Sequence, residues 1–447
     1  MPEMQVRPVQ QTPTVEGVPS HRADPLAARL AALDPAQGQA TARARRDALE
    51  RLQAMGLPRP RDEYWRYTDP APFNAPAPAP VPMDDAPIDP PLFSDLDRLR
   101  LVFVDGRFDA GASDPLELTG VEILPLSQAD LQPGHWIGES YGVLETVGQS
   151  PVRRPFAALN TAAATDGAVI RVTGRASRPV QLLYRRTRPD RDATLHHVLR
   201  LEPGAELTLI ESGLAGARVN IVVEADIAPR ARLHHIVAHR AGYPRVSNTH
   251  LFARVAEGGA LKSFAMAVDG LHMRNEFVVE LAGDDAVVHV AGAMLGDGAG
   301  GTIHDDDTVF LTHAGLRGES RQVFKKVLKN GAVGVFQGKI LVRPGAQKTD
   351  GYQISQALLL DEDSQFLGKP ELEIYADDVK CSHGSTTGAL DETALFYLRS
   401  RGVPRERAVV LLVLSFLADA LAEIEDDDLR ERIAERLEDW LTARAEA

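Results

Sequence analysis

The chain has 447 residues, 44% of them hydrophobic and 25% charged, with a formal net charge of −14. Such values fit a globular chain long enough to bury a core unaided, and they exclude wholesale disorder and a fibre. The acidic balance argues against non-specific binding to nucleic acid or to an anionic membrane, and the single cysteine excludes an intrachain disulfide, a CxxC zinc site and any iron–sulfur cluster held by cysteines of this chain alone.

Residues 1–22 are rich in Pro, Gln and Thr, have no apolar period, and are expected to be disordered. The start lacks the basic-then-apolar order of a secretory peptide, and Ala408–Leu417, the most apolar stretch, is too short to span a bilayer. With one free thiol, a reducing, cytoplasmic location is expected. Asp24-Pro25 opens a helix, with a capping side chain followed by proline at the first helical position; Leu26, Leu30 and Leu33 form its apolar stripe. A second helix through Ala48, Leu49, Leu52 and Met55 is expected to stop at Gly56, with Pro58 just beyond. Residues 23–69 therefore read as an N-terminal helical region. The Pro-rich stretch 70–92 reads as an extended linker that separates it from the rest.

Residues 93–385 read as β-rich. Leu101–Val104, before Asp105-Gly106, is one strand of an expected hairpin. From about 155 onward, short Val/Leu/Ile runs alternate with Gly, Pro and Asp turns. One turn phrase recurs, at Pro203-Gly204-Ala205-Glu206-Leu207, Pro229-Arg230-Ala231-Arg232-Leu233, Gly258-Gly259-Ala260-Leu261 and Gly283-Asp284-Asp285-Ala286-Val287, its alanines 26, 29 and 26 residues apart. Each unit holds two strand-like runs, such as Glu206–Glu211 and Val219–Glu224. Near-constant spacing is what a β-solenoid requires, because each coil stacks on the last to bury its face. A β-sandwich would turn at shorter intervals.

Residues 386–447 turn helical again. Asp391 caps a short helix holding Leu395, Phe396 and Leu398, and Gly402 ends it. Pro404 opens a strongly apolar helix through Val409, Leu412, Phe416 and Leu421. Asp426–Asp428 then lead into an amphipathic helix with Leu429, Ile433, Leu437 and Leu441 at four-residue steps, the acids sitting where the helix dipole favours them. These helices would cap the open end of the solenoid, dock a partner, or both.

The chain has no Walker A loop, no GxGxxG between strand and helix, no HExxH and no GxSxG, which argues against a nucleotide hydrolase or a dehydrogenase. On a strand, residues two apart share a face, so Cys381 and His383 could present sulfur and nitrogen together. Thiolate and imidazole suit zinc, copper or an iron–sulfur cluster, yet two ligands do not complete a site. The plainer reading is a buried thiol beside a hydrogen-bonded histidine. His250, His289, His304 and His313 lie in the β-rich region and are more simply hydrogen-bonded than ligating. His196-His197 and His234-His235 put neighbouring rings on opposite faces, so neither pair makes a clamp. Asp305-Asp306-Asp307, followed by Arg321, Lys325 and Lys326, would suit glycosidic chemistry only if two carboxylates met at a fixed separation.

Three stretches carry a resemblance: Lys369-Pro370-Glu371-Leu372-Glu373-Ile374, Asp377-Asp378-Val379-Lys380-Cys381-Ser382-His383-Gly384, and Leu395-Phe396-Tyr397-Leu398-Arg399-Ser400-Arg401-Gly402. Together they resemble the C-terminal signature of the SufB/SufD family, scaffold subunits of the SUF iron–sulfur cluster assembly machinery. Pro155-Phe156-Ala157-Ala158-Leu159-Asn160, Phe336-Gln337-Gly338-Lys339 and Ala346-Gln347-Lys348-Thr349-Asp350 extend the likeness over about Pro155 to Phe416. Gly56-Leu57-Pro58, followed by Asp62-Glu63-Tyr64-Trp65-Arg66-Tyr67-Thr68, is similar to the opening phrase of the SufD branch.

The resemblance implies a mainly β fold, a right-handed parallel β-helix between helical ends. It implies a non-enzymatic scaffold that pairs with SufB and binds two copies of the ATPase SufC, where ATP hydrolysis would reside. SufC docking falls on the C-terminal helical region, here Leu395, Phe396, Arg399, Arg401 and Phe416. A transient Fe–S cluster shared with SufB, and passed on to apo Fe–S proteins, would take His383 as this chain's ligand, with Cys381 either alongside it or buried. In isolation the chain could pair with itself. At His304–Thr308 relatives often carry extra histidines where this chain has aspartates, so a metal role there is in doubt. Two other readings stay open: a β-helical carbohydrate-active enzyme using Asp305 or Asp307, and a SufB-like subunit that carries a cluster alone.

Overall fold

The computed structural model describes residues 25–33, 38–83, 92–238 and 245–445. The expected disorder of 1–22, the capping Asp24 and the end of the Pro-rich stretch at 84–91 lie outside the described residues. Among those described, no helix is long and apolar enough to cross a membrane.

The Val/Leu/Ile runs form strands β1 (Leu99–Val104), β2 (Arg107–Phe108), β3 (Val121–Pro125), β4 (Ala168–Val172), β5 (Val180–Arg185), β6 (Asp192–Leu201), β7 (Glu206–Gly213), β8 (Arg218–Ile227), β9 (Arg232–Ala238) and β10 (Val246–Val255). They continue as β11 (Ala260–Val268), β12 (His272–Leu281), β13 (Val287–Asp297), β14 (His304–His313), β15 (Glu319–Lys329), β16 (Val333–Val342), β17 (Asp350–Leu359), β18 (Gln365–Ile374) and β19 (Lys380–Gly388). From β4 onward the chain alternates between two sheets, and each strand pairs in parallel with the strand two further on. One sheet therefore holds the odd-numbered strands from β5 to β19 and the other the even-numbered ones from β4 to β18. Antiparallel pairs, β1 with β2 and β3 with β4, finish the N-terminal end. The expected hairpin at Asp105-Gly106 is present, both residues having positive φ.

The recurrent turn phrase is a column of left-handed residues. Gly204, Arg230, Gly258, Asp285, Arg317 and Lys348 have φ of 73°, 60°, 61°, 56°, 55° and 62°, and each donates its N–H to a carbonyl of the following coil, at Pro229, Glu257, Asp284, Leu316, Gln347 and Asp378. Left-handed backbone costs a non-glycine residue about 1–2 kcal/mol, which the bond to the next coil offsets. The residue after each is small and turned inward, as at the buried Ala205, Ala231 and Ala286. Ala260 instead stands opposite Arg232 and Val287, so Gly259 is the structural counterpart of Ala231 and the repeat read from the alanines is one residue out at that coil.

Between the sheets the inward residues form a core of Leu, Ile, Val and Ala, closed toward the later coils by Phe277, Phe324 and Phe336. Both outer faces are covered. The helices Arg405–Leu421 and Asp427–Ala445 pack Val413, Leu417, Ile433 and Leu437 against Phe264, Met266, Val323 and Val327 on the outer face of the odd sheet. They lie along the side of the solenoid and do not cap its end, which corrects one sequence expectation. Amphipathicity requires an apolar surface to bury against, and the odd sheet's outer face supplies one.

On the even sheet, the helices Ala42–Met55 and Pro155–Ala163 pack together, with Leu52 against Ala158 and Leu159. The start of the Pro-rich stretch is also part of this cover. Ala71–Asn74 is a short helix, and Phe73 is buried with Trp65 and Phe156, ring centroids 5.4 to 5.8 Å apart. Arg218, held by Asp192 at 2.7 Å, donates to the carbonyls of Pro72 (3.2 Å), Ala75 (2.6 Å) and Pro76 (3.3 Å). Prolines lack the N–H that would pair such a segment with a strand, but their carbonyls remain free for a guanidinium.

Candidate functional site

The solenoid ends at β18 and β19, the last strands of the two sheets. On β19, Cys381 stands beside Gly351, His383 beside Gln353 and Ser385 beside Ser355 of β17. Gln353 and Ser355 are fully buried in the bore, so the odd-numbered residues of β19 face along it. No further coil covers them among the described residues, and His383 is exposed at the mouth.

Cys381 and His383 do share a face, roughly 7 Å apart along the strand at two residues' rise. Their surroundings differ. The half-buried Cys381 packs with Ile340, Leu372 and Val379, and burial pushes its thiol pKa up. Its Sγ lies 3.3 Å from where a Cβ at Gly351 would stand. A thiol in that setting is a small apolar side chain rather than a ready thiolate. Beyond them, Ser385 bonds Ser355 at 3.1 Å. Among the described residues no group of three or more His, Cys, Asp and Glu is placed to hold a metal ion. A metal cargo held at this mouth would need ligands beyond Cys381 and His383.

The other candidates are occupied within the fold. Asp305 and Asp307 point into the bore and hold the buried Lys326 ammonium at 2.6 and 2.7 Å. Burial and the neighbouring Asp305 push the Asp307 carboxyl up to about 6. Burial opposes the charge on Lys326, but the two aspartates hold its pKa above the usual lysine range. Asp306 points outward to Arg274, to Thr68 at 2.5 Å and to Gln337 at 3.2 Å. All three carboxylates are buried and partnered, so the carbohydrate reading loses its site.

Most of the histidines noted in the sequence are likewise engaged. His304 bonds Thr68 (2.9 Å) and His313 bonds Ser320 (2.8 Å); burial pushes both rings down to about 4. His289 sits between Glu423 (2.7 Å) and Glu319 (3.3 Å), and His250 lies 3.6 Å from Glu276. His196 meets Glu224 at 2.9 Å outside the sheet, while His197 meets Tyr184 at 3.0 Å in the bore, as the alternation of a strand requires. His235 bonds Glu211 at 2.7 Å, and its neighbour His234 lies on the other face.

The docking residues separate into two kinds. On the helix Glu392–Ser400, capped by Asp391 through the N–H groups of Thr393 and Ala394, Leu395 is buried and anchors the helix. Phe396 is 74% exposed, and Arg399 and Arg401 are exposed. Tyr397, which the sequence reading passed over, is 56% exposed and lies 5.0 Å under the Arg401 guanidinium. Phe416 is half-buried, 4.8 Å from the Lys325 ammonium, which is tied to Asp419 at 2.9 Å. It belongs to the cover of the odd sheet. The Trp65–Thr68 phrase also has a defined place: Arg274 lies 4.4 Å over the Trp65 ring, and Thr68 closes on Asp306 and His304.

Fold and site together define a parallel β-solenoid sheathed by helices on both sides, with one end left uncovered among the described residues. The family described as SUF system FeS cluster assembly, SufBD core domain, matches residues 184–416, just over half of the chain, and the chain belongs to that family. It is 29% identical over 406 residues to the iron–sulfur cluster assembly protein SufD of Escherichia coli, spanning 87% of this chain and 90% of that one. A SufBD family protein of Synechocystis is 27% identical over 416 residues, covering 87% and 88% of the two chains. The SufD protein of Bacillus subtilis is 25% identical over 290 residues, covering 63% and 65%.

Proposed function

We propose that the chain is a scaffold subunit of the SUF iron–sulfur cluster assembly complex, pairing with SufB at its open end and binding the ATPase SufC through its C-terminal helical region. The observation that supports this most directly is the uncovered last coil. Strands β18 and β19, of 10 and 9 residues, each leave one edge without a partner strand among the described residues. A long unpaired edge is a template for another chain's strand. His383 stands at that edge as this chain's ligand for a nascent cluster. SufB supplies thiolate, because Cys381 is turned into an apolar setting. An imidazole ligand is a weaker partner for iron than a thiolate, which eases transfer of the cargo to apo proteins. The exposed Phe396 and Tyr397, with Arg399 and Arg401 beside them, supply the kind of aromatic and arginine surface that protein interfaces favour. The complex belongs in the reducing cytoplasm, where a free thiol persists.

Co-purification of this chain with SufB and SufC, with mass determined by light scattering, tests the reading. A complex of one copy of this chain, one SufB and two SufC is expected. A chain that ignores both proteins overturns it. Reconstitution of the lone chain with iron and sulfide separates the SufB-like alternative: a stable stoichiometric cluster would establish that reading instead.

A further inference from the structure

The bore side of the odd sheet carries one in-register column: His235, Ser263, Val290, Gln322, Gln353 and His383. Gln322 and Gln353 are both fully buried, and neither the Oε1 nor the Nε2 of either carboxamide has a hydrogen-bond partner among the described residues. Buried amides are rarely left so. Carboxamides in register on strands about 4.8 Å apart can bond one another along a stack, but these two do not, which leaves their donors and acceptors open to a further partner. On one side the stack ends at Val290, which offers no polar group. Its one remaining neighbour in the column is His383. Across the bore, a Cβ at Gly338 would stand 2.6 Å from the Gln353 Nε2, so the glycine of the Phe336-Gln337-Gly338-Lys339 phrase leaves the room that the carboxamide fills.

We propose that Gln353 is a positioning residue for His383: its carboxamide, backed by Gln322, bonds one ring nitrogen of His383, directly or through one water. That bond sets the imidazole's tautomer and leaves the other nitrogen directed out of the bore toward a cluster. A histidine that ligates metal through one nitrogen has its tautomer set by the hydrogen bond at the other. The inference rests on the reading of His383 as a cluster ligand, but the ladder has a readout of its own.

In the full-length chain labelled with nitrogen-15 histidine, the His383 signals are assigned by their loss in His383→Gln. Long-range nitrogen–proton correlations are expected to show a single tautomer in the native chain. Gln353→Leu is expected to give a mixture of both tautomers, and Gln353→Glu, which keeps an acceptor, to restore one. An unchanged His383 tautomer in Gln353→Leu overturns the proposal. Should that variant fail to fold, Gln322→Leu decides, because it removes the backing without altering the neighbour of His383; a mixture supports the ladder and an unchanged ring overturns it. In the assembled complex, Gln353→Leu is expected to lose its cluster to a chelator about tenfold faster, the low end of the usual cost of losing an outer-shell partner. If His383→Ala leaves cluster yield unchanged while Gln353→Leu still mixes the tautomers, the ligand role falls and the ladder stands.

Discussion

His383 and Lys326 both belong to the bore, yet they answer to different forces. His383 is exposed, so His383→Ala is expected to leave the melting temperature and SufC binding in place, because an exposed side chain contributes little to the core. Cluster yield in the purified complex, read as iron and acid-labile sulfide, is expected to fall several-fold. Lys326 is buried between two carboxylates. Lys326→Met removes the only cation that reaches both of them among the described residues, and is expected to destabilise the chain by about 3–5 kcal/mol in urea unfolding. A loss below about 1 kcal/mol would mean that water already solvates the pair. The sequence identified His383 through its motif. It could not indicate Gln353 or Gln322, whose meaning depends on which strands stack and in what register.

The helices Arg405–Leu421 and Asp427–Ala445 are covers first. Leu417 is fully buried against the odd sheet, and Leu417→Ala is expected to cost about 2–5 kcal/mol. For that reason truncation after Gly402, which is expected to abolish SufC binding, also strips the apolar face holding Phe264 and Val323 and must be read alongside a solubility control. Phe396→Asp is the cleaner probe, since its ring is largely in solvent. It is expected to weaken SufC binding at least tenfold, by calorimetric titration, with an unchanged melting temperature. Unchanged affinity would move the docking surface elsewhere. The helices were readable because their apolar residues recur at helical spacing, and the caps at Asp391 and Gly402 fall where the sequence puts them. What they pack against was not readable: an apolar stripe reports that it is buried, not by which surface. Proline content misled in the same way at 70–83, where the cationic Arg218, distant in sequence, recruits the prolines' carbonyls.

The solenoid as a whole is readable because one left-handed residue followed by one small residue must recur at every coil. The reading slipped at Gly259 because glycine there does the work of the earlier alanines. It stopped short of the open end because the small residue there is Gly318 or Thr349 instead of alanine, at spacings of 32 and 31 residues. Across the molecule, burial pushes His197, His234, His304 and His313 down to about 4, below the ordinary value of 6.5 that the unfolded chain regains. Between those values the unfolded state binds more protons, so these four groups contribute stability that is present at neutral pH and lost as pH falls from about 6.5 toward 4. Asp307, raised to about 6, acts in the opposite direction over much of that range, as do Glu145 and Asp269, which burial also raises, while His272, lowered by burial, acts with the other histidines. Urea unfolding at pH 7 and pH 5 is expected to show a clear loss at the lower pH, made shallower by His313→Gln; equal stabilities would mean that these rings already carry protons in the native chain. The free edges of β18 and β19 have a further consequence, for the balance of synthesis. If SufB covers these edges, copies made in excess of it would have no strand to accept and would adhere to one another or be cleared. Expressed alone, the chain is expected to show concentration-dependent self-association, and co-expression with SufB to raise its soluble yield; the two subunits would then need to be made in matched amounts, with surplus removed by the cell's proteases.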